Sequence, residues 1–280
     1  MAALTSRPQG GPTIGPIQLS SQPEIDAGFN LLYELKFSDA HAVFVGWESK
    51  HPGEELGPAA EAAQVLFQEF DRQGVLTSDF FLDDDRLLGG VPGKPDPKVR
   101  DAFNADVKKA EELARARLKS NPRDADALFA LTIATGMQAN FASLIEQRQV
   151  ESLRLTREAD KIAKELLDVA PGAMDAYVAL GSANYIIGCL PTYKRFIIRF
   201  GGFHGDRALG MRQLALSAKS GHYLRPYAKL TLGLAAMREK QPDLARTEFE
   251  QLVAEFPGNP KFARELAKAK GTISPAAGKQ

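Results

Sequence analysis

Four histidines, one cysteine and a run of three aspartates are the residues in this 280-residue chain with chemistry to offer. His41, His51, His204 and His222 fall in different segments, and no two stand four residues apart as a zinc-binding HExxH helix requires. Cys189 has no histidine near it in sequence to raise its nucleophilicity, so its expected role is that of a small apolar side chain inside a helix. A lone cysteine also excludes an intramolecular disulfide and a multi-thiolate zinc site. Asp83, Asp84 and Asp85 point in successive directions without the spaced ligands and glycine of a calcium loop, and read as a solvated acidic turn. The Gly-rich run Gly89 to Gly93 lacks a following Lys-Ser/Thr, so it reads as loop and not as a phosphate cradle. In His204-Gly205-Asp206 the carboxylate is placed to cap a helix. No catalytic residue, metal ligand or cofactor is expected, and the chain reads as a non-enzyme.

Composition narrows the class. Apolar residues make up 44% and charged residues 25%, the balance of a folded globular chain. Thirty-five basic against thirty-five acidic residues argues against a nucleic-acid binder. That zero conceals two poles. From Glu54 to Asp85 nine carboxylates meet only Arg72, and from Lys194 to Arg225 seven cations meet only Asp206. These are expected either to be solvated, or to face each other, or to steer an acidic partner to the basic pole. Residues 1–22 are rich in Pro, Gly, Ser and Thr and carry no apolar run of signal-peptide length. The sequence as it stands therefore reads as cytoplasmic behind a disordered leader, or as periplasmic or exported where a signal peptide has been removed. No window is expected to span a membrane.

The elements that would position these residues are helices, and they keep a common ruler. Pro226 to Pro257 holds Leu232-Gly233, then Ala245-x3-Phe249, then Pro257; near the start, Gly28, Ala40-x3-Phe44 and Pro52 repeat the order. Glycine to alanine is 12 residues in both, and alanine to proline is 12 in both and again from Ala110 to Pro122 and from Ala159 to Pro171. Leu180-Gly181 opens another unit. Each type has a mechanical reason: small residues where two helices approach closely, phenylalanine beside them, proline where the second helix stops. Two segments depart from the ruler: 73–97, expected as a long loop anchored by Phe80, Phe81 and Leu82, and 191–204, where aromatic residues interleave with Lys194, Arg195 and Arg199.

This pattern resembles the tetratricopeptide repeat family. The resemblance implies an all-α fold, a right-handed α-solenoid of about five antiparallel helix pairs over residues 23–270, with a capping last helix and a disordered tail from 271. It implies a non-catalytic scaffold or adaptor that binds a protein or peptide through a concave groove lined by the first helix of each pair. Matching positions are Phe129, Ile133, Met137, Val178, Ser182, Tyr185, Tyr227, Leu230 and Leu234, mostly apolar and suited to an amphipathic helix. Asn140, Asn184 and Arg238 are the groove residues able to clamp a carboxylate. Two alternatives stay open: a membrane-peripheral assembly factor using the patch Lys194, Arg195, Arg199 and Arg207, and an enzyme whose cleft the 73–97 segment covers. Co-sedimentation with anionic vesicles at low salt separates the first: the packed reading of 191–204 predicts no binding, and binding that Arg195→Glu and Arg199→Glu abolish contradicts it.

Overall fold

The computed structural model describes residues 19–193 and 205–272. Among them are thirteen α-helices and no strand. In chain order they are α1 (Pro23–Tyr33), α2 (Phe37–Lys50), α3 (Leu56–Gln73), α4 (Ser78–Phe81), α5 (Asp84–Gly89), α6 (Pro97–Ser120), α7 (Ala125–Asn140), α8 (Gln149–Val169), α9 (Ala176–Cys189), α10 (Arg207–Ser220), α11 (Arg225–Arg238), α12 (Pro242–Glu255) and α13 (Pro260–Ala269). The helix starts are legible locally. Asp96, Asp124, Asp206 and Asn259 accept a backbone N–H from the first turn of the helix that follows, and Pro23, Pro97, Pro242 and Pro260 occupy first positions, where a missing N–H costs nothing.

Among the most extensive helix contacts are five pairs, α1 with α2, α3 with α6, α7 with α8, α9 with α10, and α11 with α12, and α10 packs on α11 as extensively as α1 on α2. The same lock closes the first and the last. A Cβ on Gly28 would lie 2.1 Å from the Phe44 ring, and one on Gly233 would lie 2.9 Å from the Phe249 ring, so each phenylalanine occupies the space that its glycine leaves. In the fourth pair Gly181 and Gly210 meet backbone to backbone, and a Cβ on Gly181 would lie 2.9 Å from the Gly210 carbonyl. Ala40, Ala110, Ala159 and Ala245 are buried at the matching positions. Pro52, Pro122, Pro171 and Pro257 are exposed, each two residues past the end of α2, α6, α8 or α12. The residues before them, His51, Asn121, Ala170 and Phe256, share φ values of −128, −136, −131 and −131°. Proline pushes its predecessor out of the helical region, which is why four second helices stop alike.

Two features differ from the sequence reading. The 73–97 segment is not a plain loop, since it folds into α4 and α5, started by the Thr77 and Asp83 side chains, which accept from the N–H groups of Phe80 and Arg86. The first of the three aspartates is thus a helix cap. Phe80 and Phe81 are buried as anchors, whereas Leu82 is exposed. The sequence reads the second helix of the third pair as about Leu144 to Val169; it starts only at Gln149, because Phe141–Ile145 forms a single π-helical turn after α7. There the Val91 N–H donates to the Leu144 carbonyl at 2.8 Å, drawing the turn toward the 89–91 segment. The continuous stretch Ala125–Ile145 is long and apolar enough to cross a membrane by composition; 67% of that window is buried within the helical body.

Aromatic rings from distant helices meet at the centre. Tyr223, in the turn between α10 and α11, meets Phe29 of α1 at a tilt (5.2 Å) and stacks on Phe129 of α7 (5.8 Å). Tyr33 of α1 meets Phe67 of α3 (5.5 Å) and Phe256 after α12 (5.4 Å), and Phe67 meets Tyr227 of α11 (5.4 Å). Such pairs contribute about 0.5–1.5 kcal/mol each beyond their area.

Helix propensity alone favours Gly→Ala by about 1 kcal/mol. The Phe44 overlap outweighs this, so Gly28→Ala is expected to destabilise the chain by about 1–3 kcal/mol, and Gly28→Ala with Phe44→Leu to recover most of the loss. Chemical denaturation of the two variants checks it; a stabilised Gly28→Ala protein contradicts the lock.

Candidate functional site

Along the seam where the first helices meet the last ones, carboxylates of the acidic stretch find their partners. Asp71, near the end of α3, pairs with Lys261 of α13. Asp79 of α4 pairs with Lys268 of α13 at 3.0 Å, and Asp84 of α5 pairs with Arg238 of α11. Lys268 also donates to the Ser78 hydroxyl (3.1 Å) and pairs with Glu265 (3.0 Å), while the Ser78 N–H donates to the other Glu265 oxygen (3.2 Å). Ser78, Glu265 and Lys268 are all buried, so each charge there has a partner in place of water. Three of its nine carboxylates are thus met by cations of α11 and α13, while Asp84 and Asp85 stay exposed; of the Lys194–Arg225 stretch, residues 194–204 lie outside the described residues. Within that stretch Arg207 pairs with Glu239 (3.0 Å) and Arg225 with Glu255 (3.1 Å).

The side chains expected to line an open groove have been drawn into this body. Phe129, Ile133, Val178, Tyr185, Leu230 and Leu234 are buried, and Met137, Ser182 and Tyr227 are half-buried. Burial pushes the Tyr185 and Tyr227 hydroxyls up, so both stay protonated donors. Two of the three carboxylate-clamp candidates, Asn184 and Arg238, are engaged too. Asn184 donates to the Leu180 carbonyl (3.0 Å) and to Gln213 (2.8 Å), and Arg238 donates to the Phe81 carbonyl (2.7 Å) besides pairing with Asp84. Two small cavities remain at the seam, each of about 20 Å³, room for one water. One lies under α13 between Tyr33, Phe67 and Phe262; the other lies between Glu55, Arg117, Asp126 and Tyr223. Ser20 closes the second by donating its N–H (2.9 Å) and hydroxyl (2.6 Å) to Asp126, so residues 19–22 of the expected leader are in place.

Of the basic patch, Lys194, Arg195 and Arg199 lie outside the described residues, and Arg207 is exposed at the start of α10. Tyr193, which leads into that segment, is 65% exposed. Cys189 is half-buried at the end of α9, where burial pushes its thiol up despite the nearby Arg238 and Arg207 guanidinium groups. A thiol held up in this way is a weak nucleophile at neutral pH. His222 Nε2 lies 2.6 Å from Asp26, and Asp206 caps α10 as expected.

One titratable cluster escaped the sequence reading. His41 of α2 brings its Nδ1 to 2.5 Å from Glu61 of α3, a carboxylate 4% exposed whose second oxygen has no partner. Burial, with Asp106 of α6 and Glu48 of α2 beside it, pushes the Glu61 carboxyl up to about 7 against the hydrogen bond from His41. Burial and Glu48 push Asp106 up to about 6. Lys109 pairs with Glu48 at the rim. Three helices contribute at separations with no periodicity, which left no local signal to find. Comparison of the chain with models of known protein families gives no match, and comparison with curated proteins gives none.

Between pH 4.5 and about 7 the folded chain holds a Glu61 proton that the unfolded chain has released, so this carboxyl's contribution to stability falls as pH rises through that window. Asp106 acts in the same direction up to about 6. Glu61→Gln is therefore expected to flatten the pH dependence of the unfolding free energy between those limits, measured by denaturant titration; an unchanged slope contradicts it.

Proposed function

We propose that the chain is a non-catalytic scaffold or adaptor that binds a protein or peptide partner, built as a tetratricopeptide-like right-handed solenoid of about five helix pairs. The observation that carries this reading is the repeated lock. Gly28 with Phe44 and Gly233 with Phe249 close pairs more than two hundred residues apart by the same contact, and four second helices end in the same conformation before proline. Such duplicated helix pairs stack into extended arrays whose usual work is to hold other chains. Here the inner faces are covered by the chain's own helices, so a partner either displaces a covering element or docks on the outer surface. Val45, Val150 and Leu216 are apolar side chains exposed there.

A second reading has one observation in its favour. Tyr193 is exposed at the threshold of the basic-aromatic segment, where an amphipathic stretch would meet a membrane or an acidic partner. Affinity capture from the source lysate tests both. The scaffold reading predicts retention of a protein that binds the purified chain in fixed stoichiometry and survives Arg195→Glu with Arg199→Glu. Retention lost in that double variant, with vesicle binding lost alongside it, overturns it in favour of the membrane-peripheral reading.

A further inference from the structure

α13 is held differently from the helices it covers. Its inward positions are Phe262, Glu265 and Lys268, three residues apart and all buried, and two of the three are charged. Under it lies an apolar floor from three helices, with Leu32 and Leu35 at the end of α1, Phe67 of α3 and Leu230 of α11, and a void of about 20 Å³ remains between that floor and Phe262. Around the floor stands an acidic rim. Asp71 takes Lys261, and Asp79 takes Lys268. Buried charge pairs hold weakly in net terms, because their attraction is offset by the water each ion gave up and regains on separation. α13 follows α12 after the turn 256–259, whose Phe256 and Asn259 hold to Tyr33, and the buried charged contacts of α13 lie toward its Lys268 end. The seat thus combines an apolar floor, an acidic rim, a small void and an occupant two of whose three buried inward residues are charged, with Leu266 and Ala269 packed beside them.

We propose that the surface beneath α13 is a docking site for a basic amphipathic helix of a partner protein, carrying an aromatic residue, a glutamate and a lysine at i, i+3 and i+6, and that α13 is the internal occupant such a helix displaces. The inference rests on the protein-binding reading and assigns it a surface. Charge decides the class of partner: a helix with acids in place of the lysines would set like charges against Asp71 and Asp79.

The test uses the full chain and, as probe, a fluorescent peptide of residues 257–272. In Lys268→Ala the buried Glu265 loses its ion-pair partner and Asp79 loses the nearer of its two α13 cations, which favours release of α13, so the peptide is expected to bind this variant and to bind wild type on the order of tenfold or more weakly. Phe262→Ala, confirmed folded by circular dichroism, serves as a second released form with the same expectation. A peptide in which Lys261 and Lys268 are replaced by Glu should not bind either form. In the wild-type chain α13 amides are expected to exchange with deuterium on the order of tenfold or more faster than those of α11. The proposal is overturned if both folded variants fail to bind the peptide, or if α13 exchanges at the rate of α11. It is also overturned if wild type is a dimer that Lys268→Ala abolishes, which gives the seat to a second copy. Failure here with lysate capture still positive removes this surface alone; failure of capture as well removes the binding reading beneath it.

Discussion

Tyr33 ties the two ends of the fold together. Its hydroxyl donates to the Tyr223 carbonyl at 2.9 Å, 190 residues away, and its own carbonyl accepts from Asn259 Nδ2 at 2.8 Å, 226 residues away. Burial holds the phenol far above its ordinary range, so it remains a donor at every pH the fold experiences. Tyr223 is set for this by Asp175, buried at the start of α9, whose carboxylate accepts the N–H groups of His222 (2.8 Å) and Tyr223 (2.9 Å). Closing so long a loop carries an entropic cost that grows only logarithmically with length. A few buried hydrogen bonds of about 0.5–1.5 kcal/mol each, with the aromatic contacts around them, are therefore enough to hold α1 against the last helices.

That closure determines what the rest of the molecule can expose. An open array of helix pairs presents the first helices of its pairs to solvent. Here Phe129, Val178, Leu230 and Leu234 are spent on internal packing, and carboxylates that would have formed a charged face are used to hold α11 and α13. Part of the acidic excess follows the same logic, since Asp71, Asp79 and Asp84 are met by cations from the other end of the chain.

The helix pairs were legible in the sequence because their determinants are local and repeat. A glycine, an alanine, a phenylalanine and a proline at fixed spacing encode close approach, filling and termination, and each is found doing that at Gly28, Ala40, Phe44 and Pro52 and again at Gly233, Ala245, Phe249 and Pro257. The closure was not legible. Asp71 and Lys261 carry no mark of being partners, and a tyrosine that hydrogen-bonds a backbone carbonyl 190 residues away looks like any other aromatic of a first helix. The π-helical turn at Phe141–Ile145 was hidden for a related reason, because the segment that draws it out of register lies at 89–91 and not within the helix itself. His41, Glu61 and Asp106 likewise belong to three helices whose meeting no spacing encodes.

The closed seam is tested most directly by a distance. Spin labels at Ser38→Cys and Ala263→Cys, both exposed positions beside the seam, in a Cys189→Ser background report whether the start of α2 and α13 stay together in solution. Closure predicts a single narrow, short distance population in the double electron resonance trace. A broad or long distribution would show the ends apart and contradict the account.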